Sequence, residues 1–172
     1  YRGVQARGVP SDFRATGQTG IFIAGSGISV DAVVADFISG AIEELCPAQP
    51  DDHWDLVEGQ GSLFHPSYAG VSLGLLHGAQ PDNLVLCHEP TRTHMRGLPQ
   101  QALPALRDCI DANLSAARVV REDSRFVGVA INTRALDERA ARKLVQRTED
   151  DLGLPCVDPV RDGVDPILDY ML

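Results

Sequence analysis

Apolar side chains recur along this chain in two patterns, one of which has the period of a helix. In residues 30–45, seven apolar positions fall on one face of a 3.6-residue repeat, which predicts a helix that Ser26 or Ser29 caps and that ends before Pro47. The same period predicts three more helices, which follow Pro66-Ser67, cover about 103–117, and run from a capping Asp137 to Gly153. Helices with one apolar face must pack that face against another layer.

Short runs of consecutive apolar residues form the second pattern and predict the strands, at 54–58, 83–87, 125–131 and 156–157. A further apolar run, Ile21–Ala24, ends in Gly25-Ser26-Gly27. A strand that is apolar at successive positions is buried on both faces, and a helix between successive strands makes them parallel. The predicted fold class is therefore α/β, a three-layer sandwich with a mostly parallel central sheet, built as a single domain over residues 1–172.

The charge balance narrows the choice of partners. Of 172 residues, 15 are Lys or Arg and 24 are Asp or Glu, which gives a net charge of −9 with His neutral. This excess of acid argues against nucleic acid and anionic membranes, because both require a positive surface. No uncharged apolar run approaches the ~20 residues of a membrane span, and the four cysteines lack metal-knuckle spacing. We expect a cytoplasmic protein with reduced thiols and a small-molecule ligand, as a monomer or a homo-oligomer.

Polar segments that follow the predicted strands are the candidate functional sites, because ligands of parallel sheets bind at the carboxyl ends of strands. Glu58 ends one strand and is followed by Gly59-Gln60-Gly61 and then by His65. A carboxylate at this position suits general base work or Mg²⁺ coordination, and the glycines let a ligand approach the backbone. The alternative is a solvated glutamate before a tight turn.

The segment after the next strand is dense in chemistry-bearing side chains: His88, Glu89, Arg92, His94 and Arg96. Arginines pair with carboxylate or phosphate, and histidines move protons near neutral pH. The histidine spacing is not that of a helical zinc site, so a metal is the less favoured use. A solvated charged turn explains the segment equally well.

Three further segments carry polar groups next to predicted elements. Asn132 follows a late strand, where an amide can read a purine edge or a ligand amide. Residues 14–20, with Thr16, Gln18 and Thr19, form a plausible anion-binding turn, and Ser26 lies at a helix start that favours an anion. Each of these segments is also explained by ordinary turn and capping chemistry.

Several of these strings together resemble one known family. They are Ala15–Gly20, Gly25-Ser26-Gly27 with Val30–Phe37, Glu58–Pro66, Cys87–His94 and Val157–Arg161. They are similar to the C-terminal domain of a bacterial and archaeal family, long uncharacterised and often labelled NAD-dependent epimerase/dehydratase, which is now assigned as D-glutamate N-acetyltransferase. The similarity covers nearly the whole chain.

The resemblance implies a fold and an organisation. Family members have a Rossmann-like N-terminal domain and a C-terminal P-loop NTPase-like domain, so this chain is expected to be a C-terminal fragment of a longer two-domain protein. Tyr1 to Gly8 resembles the end of the helix that follows the phosphate loop, and no GxxxxGK[ST] string is present in the 172 residues. The expected fold is therefore P-loop NTPase-like without a Walker A loop in this fragment.

The resemblance also implies an activity, acetyl transfer from acetyl-CoA to the amino group of D-glutamate. The candidate bases are Glu58, His65, His88 and Glu89, among which the sequence does not choose. The candidate substrate-binding residues are Thr16, Gln18, Thr19, Ser26, Asp31, Arg92, His94 and Arg96. The candidate cofactor-binding residues are Gly59, Gln60, Gly61 and Asn132. No residue is assigned to a metal.

Two alternatives remain open at this stage. Glu58–Gly61 and Gly128–Asn132 also resemble dethiobiotin synthetase, which implies an ATP- and Mg²⁺-dependent ligase or kinase-like enzyme with Glu58 at the metal and Asn132 at the base. A non-catalytic domain that assembles or regulates a partner is the second alternative. An NAD-dependent oxidoreductase has no support, because no GxGxxG opens a βαβ unit here.

Overall fold

The computed structural model describes residues 1–172, and the four runs predicted as strands are strands. The helices are α1 (Arg2–Ala6), α2 (Gln18–Ala24), α3 (Ile38–Leu45), α4 (Ala69–Ala79), α5 (Leu106–Ala117), α6 (Glu138–Leu152) and α7 (Asp165–Met171). The strands are β1 (Ser11–Arg14), β2 (Trp54–Val57), β3 (Asn83–His88), β4 (His94–Met95), β5 (Leu98–Ala102), β6 (Arg125–Ile131) and β7 (Cys156–Val157).

The chain folds into two compact units, of which the first comprises residues 1–81 and 115–122. Its strands β1 and β2 pair in parallel, with Ser11 opposite Trp54 and Arg14 opposite Val57. Apolar side chains of the 30–45 segment and of α4 form its core, which is centred on Val30, Ile42 and Leu75. The apolar face predicted for α4 thus packs on this core.

The second unit comprises residues 82–114 and 123–172. Its sheet has the strand order β3-β6-β7 and is parallel throughout, and β6 is the central strand. β6 is buried from Phe126 to Val129, as expected of a strand covered on both faces. Asp137 caps α6 by accepting a hydrogen bond from the Ala140 N–H at 2.8 Å, and α6 ends at Gly153 with φ of 68°. The α/β class with a parallel sheet is confirmed, and the single domain over 1–172 stays a prediction.

The helix predicted over residues 30–45 is wrong in its first half. Two short 3₁₀ turns, Val30–Ala32 and Ala35–Phe37, precede α3, and Val33 and Val34 between them are extended. β-branched valines favour extended backbone. The Val30 N–H donates to the Thr16 carbonyl oxygen at 3.0 Å, which ties the start of this segment to the residues after β1. The apolar spacing identifies the buried residues Val30, Ile38 and Ile42, but it does not mark a continuous helix, and Val34 and Phe37 are exposed.

Other elements did not follow from the pattern. The run Ile21–Ala24 belongs to helix α2, on which Phe22 and Ile23 are exposed. Strand β1 has two charged residues in four, and the antiparallel pair β4–β5 lies in a polar segment, so neither shows the apolar signal. None of the helices has the length and apolar character that crossing a bilayer requires.

The close packing of α3 on α4 can be tested with one matched pair of glycine substitutions. A methyl group at Gly78 would overlap the Ser39 carbonyl oxygen and lie 2.8 Å from Ile42 Cβ, whereas one at Gly40 meets no atom within 4 Å. We expect Gly78→Ala to lower the free energy of unfolding by about 1–3 kcal/mol. We expect Gly40→Ala to raise it by up to about 1 kcal/mol, because alanine loses less backbone entropy in a helix. Urea unfolding measures both, and equal effects of the two changes would contradict the packing.

Candidate functional site

The first unit brings together the segments that follow β1 and β2. These strands are parallel neighbours, and the Glu58 N–H continues their ladder to the Arg14 carbonyl oxygen at 3.0 Å. The Glu58 carboxylate atom Oε2 accepts hydrogen bonds from the Thr16 and Gly17 N–H groups, both at 3.0 Å. These donors precede α2, where a carboxylate also offsets the positive end of the helix dipole. Glu58 thus joins the two strand ends, and its Oε1 atom has no hydrogen-bond partner.

A second set of contacts fixes the segment from Glu58 to Gln60. The fully buried Thr16 hydroxyl donates to the Glu58 carbonyl oxygen at 2.7 Å and accepts from Gln60 Nε2 at 3.1 Å. The Ser72 hydroxyl, from α4, donates to the Gln60 carbonyl oxygen at 2.6 Å. A Cβ atom at position 17 would lie 2.5 Å from Gln60 Nε2, so Gly17 permits this approach. Thr16, Glu58 and Gln60 therefore form one connected group.

The glycines and the histidine that follow Gln60 have separate surroundings. Gly59 is exposed with open space around its Cα, and Gly61 has φ of 51°, in the region that favours glycine. His65 is buried at the start of α4, where its Nδ1 accepts from the Ser67 N–H at 3.2 Å. Its ring stacks on Tyr68 with the centroids 4.5 Å apart. These contacts support the turn that leads into α4.

Four further candidates of the first unit lie on its surface. Gln18 and Thr19 are exposed in the first turn of α2, and Ser26 is exposed in the loop after it. Asp31 is exposed and accepts a hydrogen bond from the Ser29 hydroxyl at 2.5 Å. None of the four takes part in the group formed by Thr16, Glu58 and Gln60.

The first unit also contains a charged cluster that the sequence analysis missed. Asp12 and Asp55 lie opposite each other in β1 and β2, and the Arg14 guanidinium donates to Asp12 at 3.0 Å and to Asp55 at 2.8 Å. His53 Nε2 lies 3.4 Å from Asp12 and 3.5 Å from Asp55. His53, Asp12 and Asp55 bring ligand atoms within 4.8 Å of one another, but the Arg14 guanidinium is already paired with both carboxylates. The cluster depends on the pairing of β1 with β2, which places Asp12 opposite Asp55. The apolar pattern does not predict β1, so it could not show this pairing.

In the second unit, the parallel strands β3 and β6 end side by side. The Asn132 N–H donates to the His88 carbonyl oxygen at 2.9 Å, so the last residue of β3 and the first residue after β6 are hydrogen-bonded neighbours. The His88 side chain is half-buried and has no hydrogen-bond partner. Burial lowers the pKa of His88, and the nearby Glu89 carboxylate opposes this change without reversing it. The His88 imidazole is therefore neutral at pH 7 and able to accept a proton.

Glu89, in contrast, is committed to its own loop. Its Oε1 atom accepts hydrogen bonds from the Thr91 hydroxyl and from the Thr91 N–H, the latter at 2.9 Å, and Oε2 lies 3.2 Å from Arg92 Nε. The Thr91 hydroxyl, more than the other groups, lowers the pKa of Glu89. A carboxylate with a lowered pKa is a weak proton acceptor at neutral pH.

The segment after Glu89 lines a basic cavity of about 400 Å³. Its lining residues are Thr91, Arg92, Thr93, His94, Arg96 and Gly97. The lining thus contains two guanidinium groups, two hydroxyl groups and no carboxylate, a set that suits an anionic ligand. His94 Nδ1 is hydrogen-bonded to the Met95 carbonyl oxygen at 2.9 Å, which orients the ring.

The structure adds one residue, Asp158, to which the sequence analysis gave no role. Asp158 follows β7 and is only 3% exposed. Burial by itself raises the pKa of a carboxylate, but hydrogen bonds from Thr133, Val160 and Arg161 outweigh it and lower the pKa of Asp158. The position of Asp158 directly after the predicted strand 156–157 was the available signal.

Comparisons with known proteins place the chain among its relatives. The family described as a domain of unknown function, the DUF1611 C-terminal P-loop domain, matches residues 1–168. Two curated relatives, from Tritonibacter scottomollicae and a Pseudoalteromonas species, are 54% and 50% identical over 168 and 167 residues. Both are named D-glutamate N-acetyltransferase. The matches cover 98% and 97% of this chain, which spans about half (50%) of the length of each relative.

A solved structure agrees with these relatives. The crystal structure of a DUF1611 family protein from Anabaena variabilis is 38% identical, with a TM-score of 0.90 over 98% of this chain and 50% of that one. The resemblance seen in the sequence and the P-loop fold it implied are thereby confirmed. This chain belongs to the DUF1611 family and corresponds to its C-terminal P-loop domain.

Proposed function

We propose that the full-length protein transfers the acetyl group of acetyl-CoA to the amino group of D-glutamate and forms N-acetyl-D-glutamate. The name of the two relatives, at 50% and 54% identity, supports this reaction. Within the structure, the basic cavity of residues 91–97 supports it, because an acidic amino acid requires cations at its carboxylates. We place the reaction in the cytoplasm, in a monomer or a homo-oligomer.

In this proposal the two arginines of the cavity bind the substrate carboxylates. Arg92 is 57% exposed on its side chain, and its ion pair with Glu89 leaves guanidinium donors for a ligand. Arg96 supplies the second guanidinium of the lining, and the Thr93 hydroxyl supplies a further donor beside His94, whereas the Thr91 hydroxyl donates to Glu89. A bidentate arginine–carboxylate pair also orients the substrate, so that its amino group has one preferred direction.

We assign the role of general base to His88. Its ring is neutral at pH 7 and without a hydrogen-bond partner, whereas Glu89 accepts from Thr91 and pairs with Arg92. In the reaction, the amine nitrogen attacks the thioester carbonyl carbon, His88 accepts the amine proton, and the carbon–sulfur bond breaks. The departing thiolate of CoA then takes up a proton.

The remaining candidates take other roles in the proposal. Glu58 holds the ends of β1 and β2 together through Thr16 and Gly17, and its free Oε1 atom is available to a ligand. His65 supports the start of α4. Asn132 is the proposed contact to the adenine of acetyl-CoA, and Gly59, Gln60 and Gly61 stay predictions as cofactor-binding residues. The surface residues Gln18, Thr19, Ser26 and Asp31 stay predictions as substrate contacts.

The donor and the substrate can be tested directly. We expect the full-length protein to release free CoA thiol from acetyl-CoA with D-glutamate, and to do so much more slowly with L-glutamate. Thiol release and mass spectrometry of the acetylated product measure the reaction. Glycine and D-alanine, which lack the second carboxylate, serve as matched controls. ATP hydrolysis without thiol release for any amino acid would instead support the ligase or kinase-like alternative.

The base can be tested by substitution and by the pH dependence of the rate. We expect His88→Ala to lower kcat by about 10²-fold or more, because the positioned proton acceptor is lost. The wild-type rate is expected to fall as the pH falls through the lowered pKa of His88, below its ordinary value of 6.5, since only the neutral ring accepts a proton. His77→Gln, a histidine bonded to the Ala116 carbonyl oxygen, is the control. An unchanged kcat in His88→Ala would remove this residue from the mechanism.

The carboxylate-binding role of the cavity has a different kinetic signature. We expect Arg92→Ala and Arg96→Ala each to raise the KM for D-glutamate by about tenfold or more, because a charge-assisted hydrogen bond is worth about 1.5–3 kcal/mol. The KM for acetyl-CoA should stay the same. Arg139→Ala removes an exposed arginine from α6 and is the control for the loss of charge. A rise in both KM values, or in neither, would contradict the assignment.

A further inference from the structure

The buried carboxylate of Asp158 joins the two loops that follow β6 and β7. Its Oδ2 atom accepts hydrogen bonds from the Thr133 N–H, at 3.0 Å, and from the Thr133 hydroxyl. Its Oδ1 atom accepts from the Val160 N–H at 2.9 Å and from the Arg161 N–H at 3.3 Å. The side chains of Thr133 and Asp158 are inaccessible to solvent or nearly so. A buried carboxylate with this many donors fixes both loops against each other.

Arg161 closes the same network from the other side. Its guanidinium donates to the Leu136 carbonyl oxygen at 2.8 Å and to the Thr133 carbonyl oxygen at 3.4 Å. The guanidinium also lies 3.8 Å from Asp158 Oδ2. The loop after β6 is therefore held by the Thr133 N–H and hydroxyl through Asp158, and by two carbonyl groups through Arg161.

The result is a rigid loop with two unused recognition groups. Asn132 Oδ1 accepts from the Arg134 N–H at 3.1 Å, and the Asn132 N–H donates to His88, which sets the backbone on both sides of Asn132. The Asn132 side-chain NH₂ group is exposed and has no partner. The Arg134 guanidinium is likewise exposed and without a partner. These two donor groups belong to residues 132 and 134, on a loop that hydrogen bonds to Asp158 and Arg161 hold in one conformation.

The chemistry of this pair matches one part of the proposed donor. The Asn132 NH₂ group can donate to an acceptor nitrogen of a purine, and a guanidinium pairs with phosphate. Coenzyme A carries both partners close together, because its ribose bears a 3′-phosphate next to the adenine. Unlike the adenosine of ATP, this 3′-phosphoadenosine offers a phosphate on the ribose ring itself.

We infer that Asp158 is a positioning residue for acetyl-CoA, which holds residues 132–134 so that Asn132 and Arg134 together bind the 3′-phosphoadenosine group. The inference rests on the proposed function for the identity of the donor. Asp158 acts through Thr133 and touches neither the acetyl group nor the amino acid in this assignment. Its loss should therefore weaken binding of the nucleotide part and leave the chemical step unchanged.

The test compares Asp158→Asn with Asp162→Asn in the full-length protein. Asparagine at position 158 has one acceptor oxygen, so it cannot accept both the Thr133 hydrogen bonds and those from the Val160 and Arg161 N–H groups. Asp162 is exposed on the same loop and accepts only one long bond, 3.4 Å from the Asp158 N–H. We expect Asp158→Asn to raise the KM for acetyl-CoA roughly tenfold, with kcat and the KM for D-glutamate unchanged. Asp162→Asn should change none of the three. Equal changes in all three parameters for Asp158→Asn, or no change, would overturn the positioning role.

A second pair of variants covers the case in which Asp158→Asn does not fold. Thr133→Val removes only the hydroxyl donor and should raise the KM for acetyl-CoA, as Asp158→Asn does. Thr133→Ser keeps the hydroxyl and should leave this KM at the wild-type value. Arg134→Ala should raise the KM for acetyl-CoA but not for acetyl-3′-dephospho-CoA, which lacks the recognised phosphate. Equal effects of Arg134→Ala on both donors would overturn the phosphate assignment.

Direct binding separates this inference from the proposed reaction. Titration calorimetry with CoA alone should show binding to the wild type that weakens by the same factor in Asp158→Asn and in Thr133→Val. If the wild type binds CoA in this way but transfers no acetyl group to D-glutamate, the proposed reaction fails and the inference stands. If the wild type does not bind CoA, both fail.

Discussion

One interaction fixes the loops after the parallel strands in both units. A carboxylate after one strand accepts hydrogen bonds from backbone N–H groups in the loop that follows the neighbouring parallel strand. In the first unit Glu58, after β2, accepts from Thr16 and Gly17 after β1. In the second unit Asp158, after β7, accepts from Thr133 after β6. A threonine hydroxyl adds a bond in each case, from Thr16 to the Glu58 carbonyl oxygen and from Thr133 to the Asp158 carboxylate. Each unit thus contains the same arrangement of a carboxylate, a threonine hydroxyl and backbone N–H groups.

The hydrogen bonding of parallel strands explains why a carboxylate is needed at this position. The last N–H groups of a parallel strand point into a loop that has no ladder partner, and a buried N–H without an acceptor costs free energy. A carboxylate with two acceptor oxygens satisfies several of these donors at once and stays ionised because they stabilise its charge. The loops that carry Gln60 and Asn132 are therefore fixed before any ligand binds, which lowers the entropic cost of binding.

The second unit contains both side chains saturated by hydrogen bonds and side chains without a partner. Glu89 and Asp158 are saturated by hydrogen bonds, which suits them to hold backbone in place. His88 has an unbonded neutral ring, and Arg134 has an unbonded guanidinium. Groups of the second kind can exchange protons or bind ligands, whereas groups of the first kind can act only through the loops they support. For this reason His88, and not Glu89, is the proposed base.

The sequence by itself determined the strands, predicted at 54–58, 83–87, 125–131 and 156–157, the cap at Asp137 and the parallel α/β class, because short apolar runs that alternate with helices indicate a covered parallel sheet. The burial on both faces expected of such strands holds for β6, whereas Val85 and Cys87 of β3 are exposed. The sequence also located the polar segments at the strand ends. Tertiary structure alone decided that residues 30–37 are not a continuous helix, that β1 pairs with β2, and which carboxylates are saturated and which side chains remain free. Those outcomes depend on hydrogen bonds between residues far apart in the chain, such as Thr16 with Glu58 or Thr133 with Asp158, and local pattern carries no record of them.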